Sequence, residues 1–520
     1  MLNVRNIFIY LLLLVLCLGT AKAQDASKML TLENEVMYSK ILGQEVRYSV
    51  CLPEGYFQTN ASYPVAYMLH GLGDNASSWL EYGRLDVWTK QRVAEGKIIP
   101  MIYIMPEGYT NYYVNDWYGK FRYQDMFVKE LVPHVDKKYR TLADKAHRAT
   151  VGYSMGGFGA LTLALQHQDV FSATVPLSIS IRTDKQYTEE ESEGWNEQWG
   201  RLFGGIGLEG EKRLTDYYKQ NSPAYIFKNK PVNTKIFILN GDDEGSLAYS
   251  NEELHILMRS LHVPHEYRVR DGGHDFKFWF QALSDGLNFV SDAFEGKSYR
   301  GDEVAVANLA SVANLSSDRY QQMPFDVHLP KGYEQGNRSY PVLYIDAQMD
   351  CESKDKIARL LAEKVETMQI APMLAIFFDS RKMEGSIEAF IQHCQAEYRI
   401  RSGRRFSAYM GYQSAGEKAL GYASREMFTY VASLDGTFED GEAFLKELQK
   451  QPKKGFQRTA IYIDSPDKGM FYETNGKLHL LLKDMDVKHE YRVSQSIDQE
   501  EYLLRQIDAI LESVSDKIHI

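Results

Sequence analysis

The feature that most constrains the fold of this chain is an internal repeat, because sequence blocks that recur in one order predict two units of the same architecture. Blocks of the first half recur in the same order in the second. The matching pairs are Leu52–Tyr56 with Leu329–Tyr333, Ser62–Val65 with Ser339–Val342, Gly152–Tyr153 with Gly411–Tyr412, Leu254–His255 with Leu478–His479, and His265–Val269 with His489–Val493. A chain of 520 residues is also too long for one ordinary domain. The sequence therefore predicts tandem domains over residues 24–298 and 299–520.

The fold class follows from the order of apolar and amphipathic segments in the first half. Short, unbroken apolar runs predict strands, and helical segments separate them along the chain. The predicted strands include residues 63–69, 98–105, 149–153, 173–177, 235–239 and 266–269. Strands that alternate with helices and are apolar on both faces predict an α/β fold with a mostly parallel, doubly wound sheet.

One predicted strand runs into the pentapeptide Gly152-Tyr-Ser-Met-Gly156, and a small-residue helix follows it. This is the G-x-S-x-G pattern of a nucleophile elbow, in which the serine occupies a strained turn between strand and helix. Side chains at Gly152 and Gly156 would collide across that turn. Ser154 is therefore the candidate nucleophile.

A serine nucleophile needs a base that takes its proton and an acid that orients the base. In folds with this elbow the chain order is serine, acid, histidine. The acids Asp242, Asp243 and Glu244 follow a predicted strand, and His274 follows the next one after two glycines. We predict Glu244 as the acid, with Asp243 as the alternative, and expect the other two acids of the cluster to be solvated loop charges.

The second half keeps the strand sequences and has lost the candidate chemical residues. Counting along the repeat places Gln413 opposite Ser154, Ala347–Met349 opposite His70–Leu72, Lys468 opposite Glu244, and Asp498 opposite His274. The second domain is therefore predicted to be a degenerate, non-catalytic copy. Three roles are open for it: docking on the first domain to shape the cleft, forming a homodimer, or binding polysaccharide.

Residues 180–227 break the strand–helix pattern and have no counterpart in the second half. An insertion at this place in the chain predicts a cap over the site. It carries Trp195 and Trp199. Two interpretations are open for these tryptophans: they line a substrate pocket, or they only anchor the cap.

The N-terminus predicts export. Arg5, the apolar run 7–18 and Ala21-Lys-Ala23 fit a signal peptide over residues 1–23, cleaved after Ala23. The apolar run is too short to span a bilayer, and bulky Leu16 disfavours a lipoprotein site at Cys17. A secreted or periplasmic protein without an integral membrane span is therefore expected.

The composition of the chain limits which partners, disulfides and cofactors can be expected. The net charge of −11 and the lack of a basic stripe argue against nucleic acid. Cys51, Cys351 and Cys394 are too few for a disulfide framework. A Cys351–Cys394 bridge and buried thiols both stay open, and thiols are favoured. No metal-ligand spacing or phosphate-binding loop occurs, so neither a metal nor a cofactor is expected.

The first half is similar to the esterase-D-like branch of the α/β-hydrolases, which includes S-formylglutathione hydrolases, feruloyl and acetyl-xylan esterases, and mycolyltransferases. The matching residues are His70–Gly73, Gly152–Gly157, Gly241–Glu244 and Asp271–His274. The resemblance implies an oxyanion hole made by the backbone N–H groups of Leu72 and Met155, with His70 supporting that loop. The family usually has Asp where this chain has Glu244.

The resemblance implies a serine carboxylic-ester hydrolase that acts on small-molecule or polysaccharide-linked esters, with feruloyl or acetyl groups favoured for an exported protein. Two alternatives stay open. The same triad could transfer the acyl group to a sugar acceptor, or the chain could be a non-catalytic binding protein.

Overall fold

The computed structural model describes residues 30–304 and 307–519. The predicted signal peptide, its cleavage site after Ala23 and Cys17 lie outside the described residues.

Within these ranges sixteen strands form one continuous sheet. The strands are β1 Leu30–Ser39, β2 Gln44–Leu52, β3 Val65–Leu69, β4 Ile102–Pro106, β5 Arg148–Tyr153, β6 Ala173–Leu177, β7 Lys235–Gly241, β8 Glu266–Arg270, β9 Leu315–Tyr320, β10 Met323–His328, β11 Val342–Asp346, β12 Leu374–Phe378, β13 Ser407–Tyr412, β14 Tyr430–Leu434, β15 Ala460–Pro466 and β16 Glu490–Ser494.

Helices cover both faces of the sheet. Those of the first half are α1 Ser78–Glu81, α2 Leu85–Ala94, α3 Tyr123–Met126, α4 Val132–Lys138, α5 Met155–Gln166, α6 Asp184–Glu189, α7 Ser192–Gly194, α8 Gly200–Phe203, α9 Asp216–Asn221, α10 Pro223–Asn229, α11 Ser246–Ser260 and α12 Phe276–Phe294. Those of the second half are α13 Cys351–Glu366, α14 Ile387–Glu397, α15 Ser414–Ser424, α16 Gly441–Gln449, α17 Tyr472–Asp484 and α18 Gln499–Ile518. Wider helical turns at Phe127–Leu131 and Trp195–Trp199 join their neighbours.

The strand order is the same in each half of the chain. The first half runs β1-β2-β4-β3-β5-β6-β7-β8, and the second half runs β9-β10-β12-β11-β13-β14-β15-β16. Neighbouring strands are parallel from β4 to β8 and from β12 to β16. The predicted α/β fold with a mostly parallel sheet is confirmed. The two halves join where β8 and β16 pair antiparallel, with Val269 opposite Val493.

The hydrophobic core follows from strands that are apolar on both faces. On one face α12 packs Trp279, Leu283 and Leu287 against the first half of the sheet, and α13 and α18 cover the second half in the same way. On the opposite face one cluster of buried side chains runs through both halves. Its members at the junction include Tyr267, Val269, Tyr491 and Val493. The halves therefore share a core across the β8–β16 pair.

A buried carboxylate sits at this junction. Glu252 of α11 accepts hydrogen bonds from the hydroxyls of Tyr267, at 3.0 Å, and Tyr491, at 3.3 Å. Its side chain fills space that a Cβ at Gly476 would occupy. Burial raises the pKa of Glu252 from its ordinary value of 4.5 to about 7.

Glu252→Gln is expected to stabilise the protein at neutral and alkaline pH. A carboxyl whose pKa is raised on folding stabilises the fold below its unfolded pKa, and that stabilisation is lost as pH rises through 4.5 toward 7. The neutral amide of Gln keeps this stabilisation at every pH. The free energy of unfolding of the variant should therefore exceed that of the wild type by about 2 to 3 kcal/mol at pH 8. Calorimetric Tm values at about pH 4 and 8 measure this. A Tm difference that does not depend on pH, or equal gains in the exposed-site control Glu197→Gln, would contradict it.

Cys351 is exposed and Cys394 is buried, and no disulfide joins them. Thiols are therefore observed in place of the bridge, but the expectation that they are buried is wrong for Cys351. Among the residues that the structure describes, no helix is both long and apolar enough to cross a membrane. That part of the chain also contains no group of three or more His, Cys, Asp or Glu side chains placed to hold a metal ion.

Candidate active site

The elbow lies between β5 and α5. Ser154 has φ 57° and ψ −119°, a strained conformation for a residue with a side chain. A Cβ at Gly152 would overlap the carbonyl oxygen of Gly156, and one at Gly156 would overlap the carbonyl oxygen of Leu69. Both glycines are therefore required by close backbone approach.

Three side chains from separate loops meet in one hydrogen-bonded relay. Ser154 Oγ lies 2.9 Å from His274 Nε2, and His274 Nδ1 lies 2.7 Å from Glu244 Oε2. Glu244 is buried while Asp243 is exposed. The structure therefore brings Glu244, and not Asp243, to the histidine. With Nδ1–H donating to Glu244, Nε2 is left to accept the serine proton.

Two residues that the sequence analysis did not single out hold the acid. Ser178 donates its hydroxyl to Glu244 Oε1, which also accepts the N–H of Gly241 at 3.2 Å. Trp279 donates its indole N–H to Ser178 Oγ at 2.8 Å, and its ring lies nearly perpendicular to the His274 imidazole, with centroids 5.1 Å apart. The available signal was position, because Ser178 directly follows β6 at the edge of the sheet where the other site residues lie.

The expectation that Asp242 is a solvated loop charge is wrong. Asp242 is buried, and its carboxylate accepts from Arg492 of the second half and from the N–H of Gly272, at 3.3 Å. Counting acids after a strand cannot reveal this, because the partner lies 250 residues away along the chain.

The loop between β3 and α1 approaches Ser154 closely. A Cβ at Gly71 would come within 2.7 Å of the Tyr153 ring and 3.4 Å of Ser154 Cβ, so the Gly71–Leu72 peptide lies beside the elbow. His70 is buried under this loop, with Nδ1 2.8 Å from Gly71 O and Nε2 accepting the N–H of Gly108 at 2.8 Å. His70 thus makes loop contacts and lies outside the relay.

Met155 is the first residue of α5, so its N–H has no acceptor within the helix. The positive end of the helix dipole lies at the same place. An amide at a helix start, beside a loop that lies close to the nucleophile, is a position from which an N–H group can stabilise an oxyanion. Leu72 and Met155 remain the predicted donors.

Residues 180–227 form the cap as a set of short helices. The interpretation in which Trp195 and Trp199 line a substrate pocket needs correction. Trp195 is 0% and Trp199 1% exposed. Trp195 donates to Gly205 O at 2.9 Å, and Trp199 stacks on Phe203. They anchor the cap. Trp117, an aromatic side chain that stays exposed, lies against Gly204 of the cap.

The second half repeats the backbone of the elbow without its chemistry. Gln413 has φ 55° and ψ −120° between β13 and α15, close to the values at Ser154. Its side chain donates to the hydroxyl of Tyr412 at 3.2 Å. The strained turn is therefore present where no nucleophile stands.

The structure also corrects two positions of the repeat. Since β7 and β15 end at Gly241 and Pro466, Asp467 lies opposite Asp242 and Gly469 lies opposite Glu244, where counting had placed Lys468. Asp498 caps α18 as Asp275 caps α12, so it corresponds to Asp275 and not to His274. From the strand end to the shared Leu-His, the second half is one residue shorter, because Pro466 to Leu478 spans 478 − 466 = 12 positions and Gly241 to Leu254 spans 254 − 241 = 13. The loop 495–498 is likewise one residue shorter than the loop 271–275, and these two differences shift the count.

Comparison with known proteins finds esterases among the relatives of this chain. Residues 39–290 match the family model for putative esterases. Over 147 residues the chain is 33% identical to an endo-1,4-beta-xylanase/feruloyl esterase of Xylanibacter ruminicola, covering 27% of this chain and 20% of that protein. Over 253 residues it is 24% identical to an esterase of Mycobacterium tuberculosis, covering 45% and 54%. The chain thus spans about a fifth of the length of the Xylanibacter protein and about half of the length of the Mycobacterium protein. A solved ferulic acid esterase structure covers 51% of this chain and 99% of its own, at 29% identity and a TM-score of 0.44.

The strand order, the elbow and the relay place the first half among the α/β-hydrolases. More narrowly, residues 39–290 match the putative esterase family model, which confirms the predicted resemblance for that part of the chain.

Proposed function

We propose that this protein is a serine carboxylic-ester hydrolase whose catalytic residues are Ser154, His274 and Glu244. The observation that carries the proposal is the unbroken relay, 2.9 Å from Ser154 Oγ to His274 Nε2 and 2.7 Å from His274 Nδ1 to Glu244. These distances lie within hydrogen-bond reach for each proton that the reaction moves.

The proposed mechanism is two-step acyl transfer. His274 Nε2 takes the proton of Ser154 while Oγ attacks the ester carbonyl, and the N–H groups of Leu72 and Met155 donate to the oxyanion. The C–O bond to the alcohol breaks, and the alcohol leaves with the proton held by His274. Water then attacks the acyl-enzyme with His274 again as base, which releases the acid and restores Ser154.

The proposed substrates are feruloyl or acetyl esters of plant polysaccharide. Support comes from the match to a relative whose name includes xylanase and feruloyl esterase and from the signal-peptide pattern of residues 1–23, on which we propose export. The exposed ring of Trp117 beside the cap offers an apolar surface for such a substrate.

The second half is proposed to be a non-catalytic copy. Gln413 replaces the nucleophile, and Gly469 stands at the position of the acid. An amide and a glycine cannot supply a nucleophile and an orienting carboxylate.

The wild-type protein is expected to hydrolyse p-nitrophenyl acetate and methyl ferulate, and to release free acid from feruloylated or acetylated xylan. The acyl-enzyme route needs only an activated ester, so the small esters test the chemistry, and the polysaccharides test the substrate class. Release of p-nitrophenol and of ferulate or acetate, above a heat-denatured control, measures both. Hydrolysis of none of these esters would contradict the proposed function, and hydrolysis of the small esters alone would contradict the polysaccharide assignment.

A further inference from the structure

The second half contacts the loops that carry the proposed acid and base. Strand β16 lies beside β8, and the side chain of its Arg492 crosses toward the first half. Arg492 Nη1 pairs with Asp242, and Nη2 lies 3.2 Å from Asp271. Asp242 begins the loop that carries Glu244, and Asp271 begins the loop that carries His274. One guanidinium therefore contacts both loops.

The Asp242 carboxylate completes a bridge between these loops. Its Oδ1 accepts the N–H of Gly272, at 3.3 Å, and its Oδ2 accepts from Arg492 and from the N–H of Tyr491, at 3.3 Å. Its carbonyl oxygen accepts from Lys483 Nζ at 3.2 Å. Every one of these partners except Gly272 belongs to the second half.

Within this bridge the Asp242–Arg492 pair is shielded from water, whereas the Asp271 side chain is 82% exposed, so the charges of the Asp242–Arg492 pair act the more strongly on each other. The Asp242 side chain is 5% and the Arg492 side chain 15% exposed. Burial raises the pKa of Asp242, and the charge of Arg492 opposes that rise. Loss of Arg492 would leave a buried carboxylate without its cation, and the loop would then have to move toward water.

From these contacts we infer that the second half acts as a positioning element for the proposed triad, with Arg492 and Asp242 fixing the loops of Glu244 and His274 relative to each other. The inference rests on the proposed function for its catalytic consequence. Arg492 and Asp242 do not touch Ser154, so they are positioning residues.

A reciprocal contact provides a matched comparison. Arg268, the counterpart of Arg492, pairs with Asp467, the counterpart of Asp242, at 2.7 Å. Asp467 also accepts the N–H of Ser496 at 3.0 Å, as Asp242 accepts that of Gly272. The same ion pair is thus made twice across the junction, and only one copy lies between loops that carry the relay.

The test compares Asp242→Asn with Asp467→Asn. Both substitutions are isosteric and remove one charge from a buried pair between the halves, so both should lower Tm. Because a displacement of the order of 1 Å at the reacting groups is costly, Asp242→Asn should lower kcat about 10- to 100-fold with little change in KM. Asp467→Asn should leave kcat at the wild-type value. Arg492→Met should act like Asp242→Asn without adding to it in the double variant, and Arg492→Lys should restore part of kcat.

A second readout separates this inference from the proposed function. The proton of His274 Nδ1 in its hydrogen bond to Glu244 should give a downfield NMR resonance in the wild type and in Asp467→Asn, and the resonance should weaken or vanish in Asp242→Asn and Arg492→Met. Wild-type kcat and an unchanged resonance in the folded Asp242 and Arg492 variants would overturn the inference, and so would equal loss of kcat in Asp467→Asn. A wild type that shows the resonance without hydrolysing any ester would count against the proposed function alone.

Discussion

Ser154→Ala is expected to lower kcat for ester hydrolysis by about 10⁵-fold or more, since removal of the nucleophile leaves only the oxyanion donors and substrate binding. The substitution removes one oxygen atom from an elbow whose backbone is held by Gly152 and Gly156, so the fold should be unaffected. KM for a small ester should change little. Steady-state hydrolysis of p-nitrophenyl acetate, with Tm as the check on folding, measures the effect.

The chain offers a matched control for this experiment. Gln413 occupies the same strained backbone conformation in the second half, so Gln413→Ala places alanine at an equivalent turn. It should leave kcat unchanged. Equal rates for Ser154→Ala and the wild type would remove Ser154 from the mechanism, and loss of activity in Gln413→Ala would contradict the non-catalytic assignment of the second half.

Glu244→Gln is expected to lower kcat by about 10³- to 10⁴-fold. The amide keeps the shape of the side chain, but its NH₂ group can no longer accept the Nδ1–H of His274 as a carboxylate does. The imidazole then loses the tautomer and the stabilisation that its role as base requires. Burial of the acid beside Ser178 and Gly241 makes the loss larger, because water cannot replace the missing acceptor.

The neighbouring acid supplies the comparison for Glu244. Asp243→Asn changes an exposed carboxylate one residue away and should leave kcat within about twofold of the wild type. The opposite pattern, in which Asp243→Asn is impaired and Glu244→Gln is not, would assign the acid to Asp243, which was the alternative from the sequence.

Local sequence was sufficient for the parts of the site that depend on backbone geometry. A G-x-S-x-G turn between an apolar strand and a small-residue helix requires Gly152 and Gly156, whatever else the chain does. The carboxyl ends of parallel strands meet at one edge of a sheet, so the loops after β7 and β8 had to lie near Ser154. Chain order therefore predicted which residues could meet.

Side-chain burial and contacts between the halves could not be predicted in this way. Asp242 and Asp243 are the same residue type in adjacent positions, and only the position of Arg492 in the folded protein distinguishes them. Trp195 and Trp199 are buried because the cap helices fold over them, which a pattern of polar residues around two tryptophans does not reveal. Ser178 showed no motif, and its role emerges only from its contact with Glu244.

The most direct test of the proposed nucleophile is covalent labelling by an organophosphate such as diethyl p-nitrophenyl phosphate, followed by digestion and mass spectrometry. The relay predicts one phosphorylated residue, Ser154, in the wild type, no label in Ser154→Ala, and slow labelling in Glu244→Gln. Labelling of another residue at the same rate in the wild type and in Ser154→Ala, with Ser154 unmodified, would contradict the account.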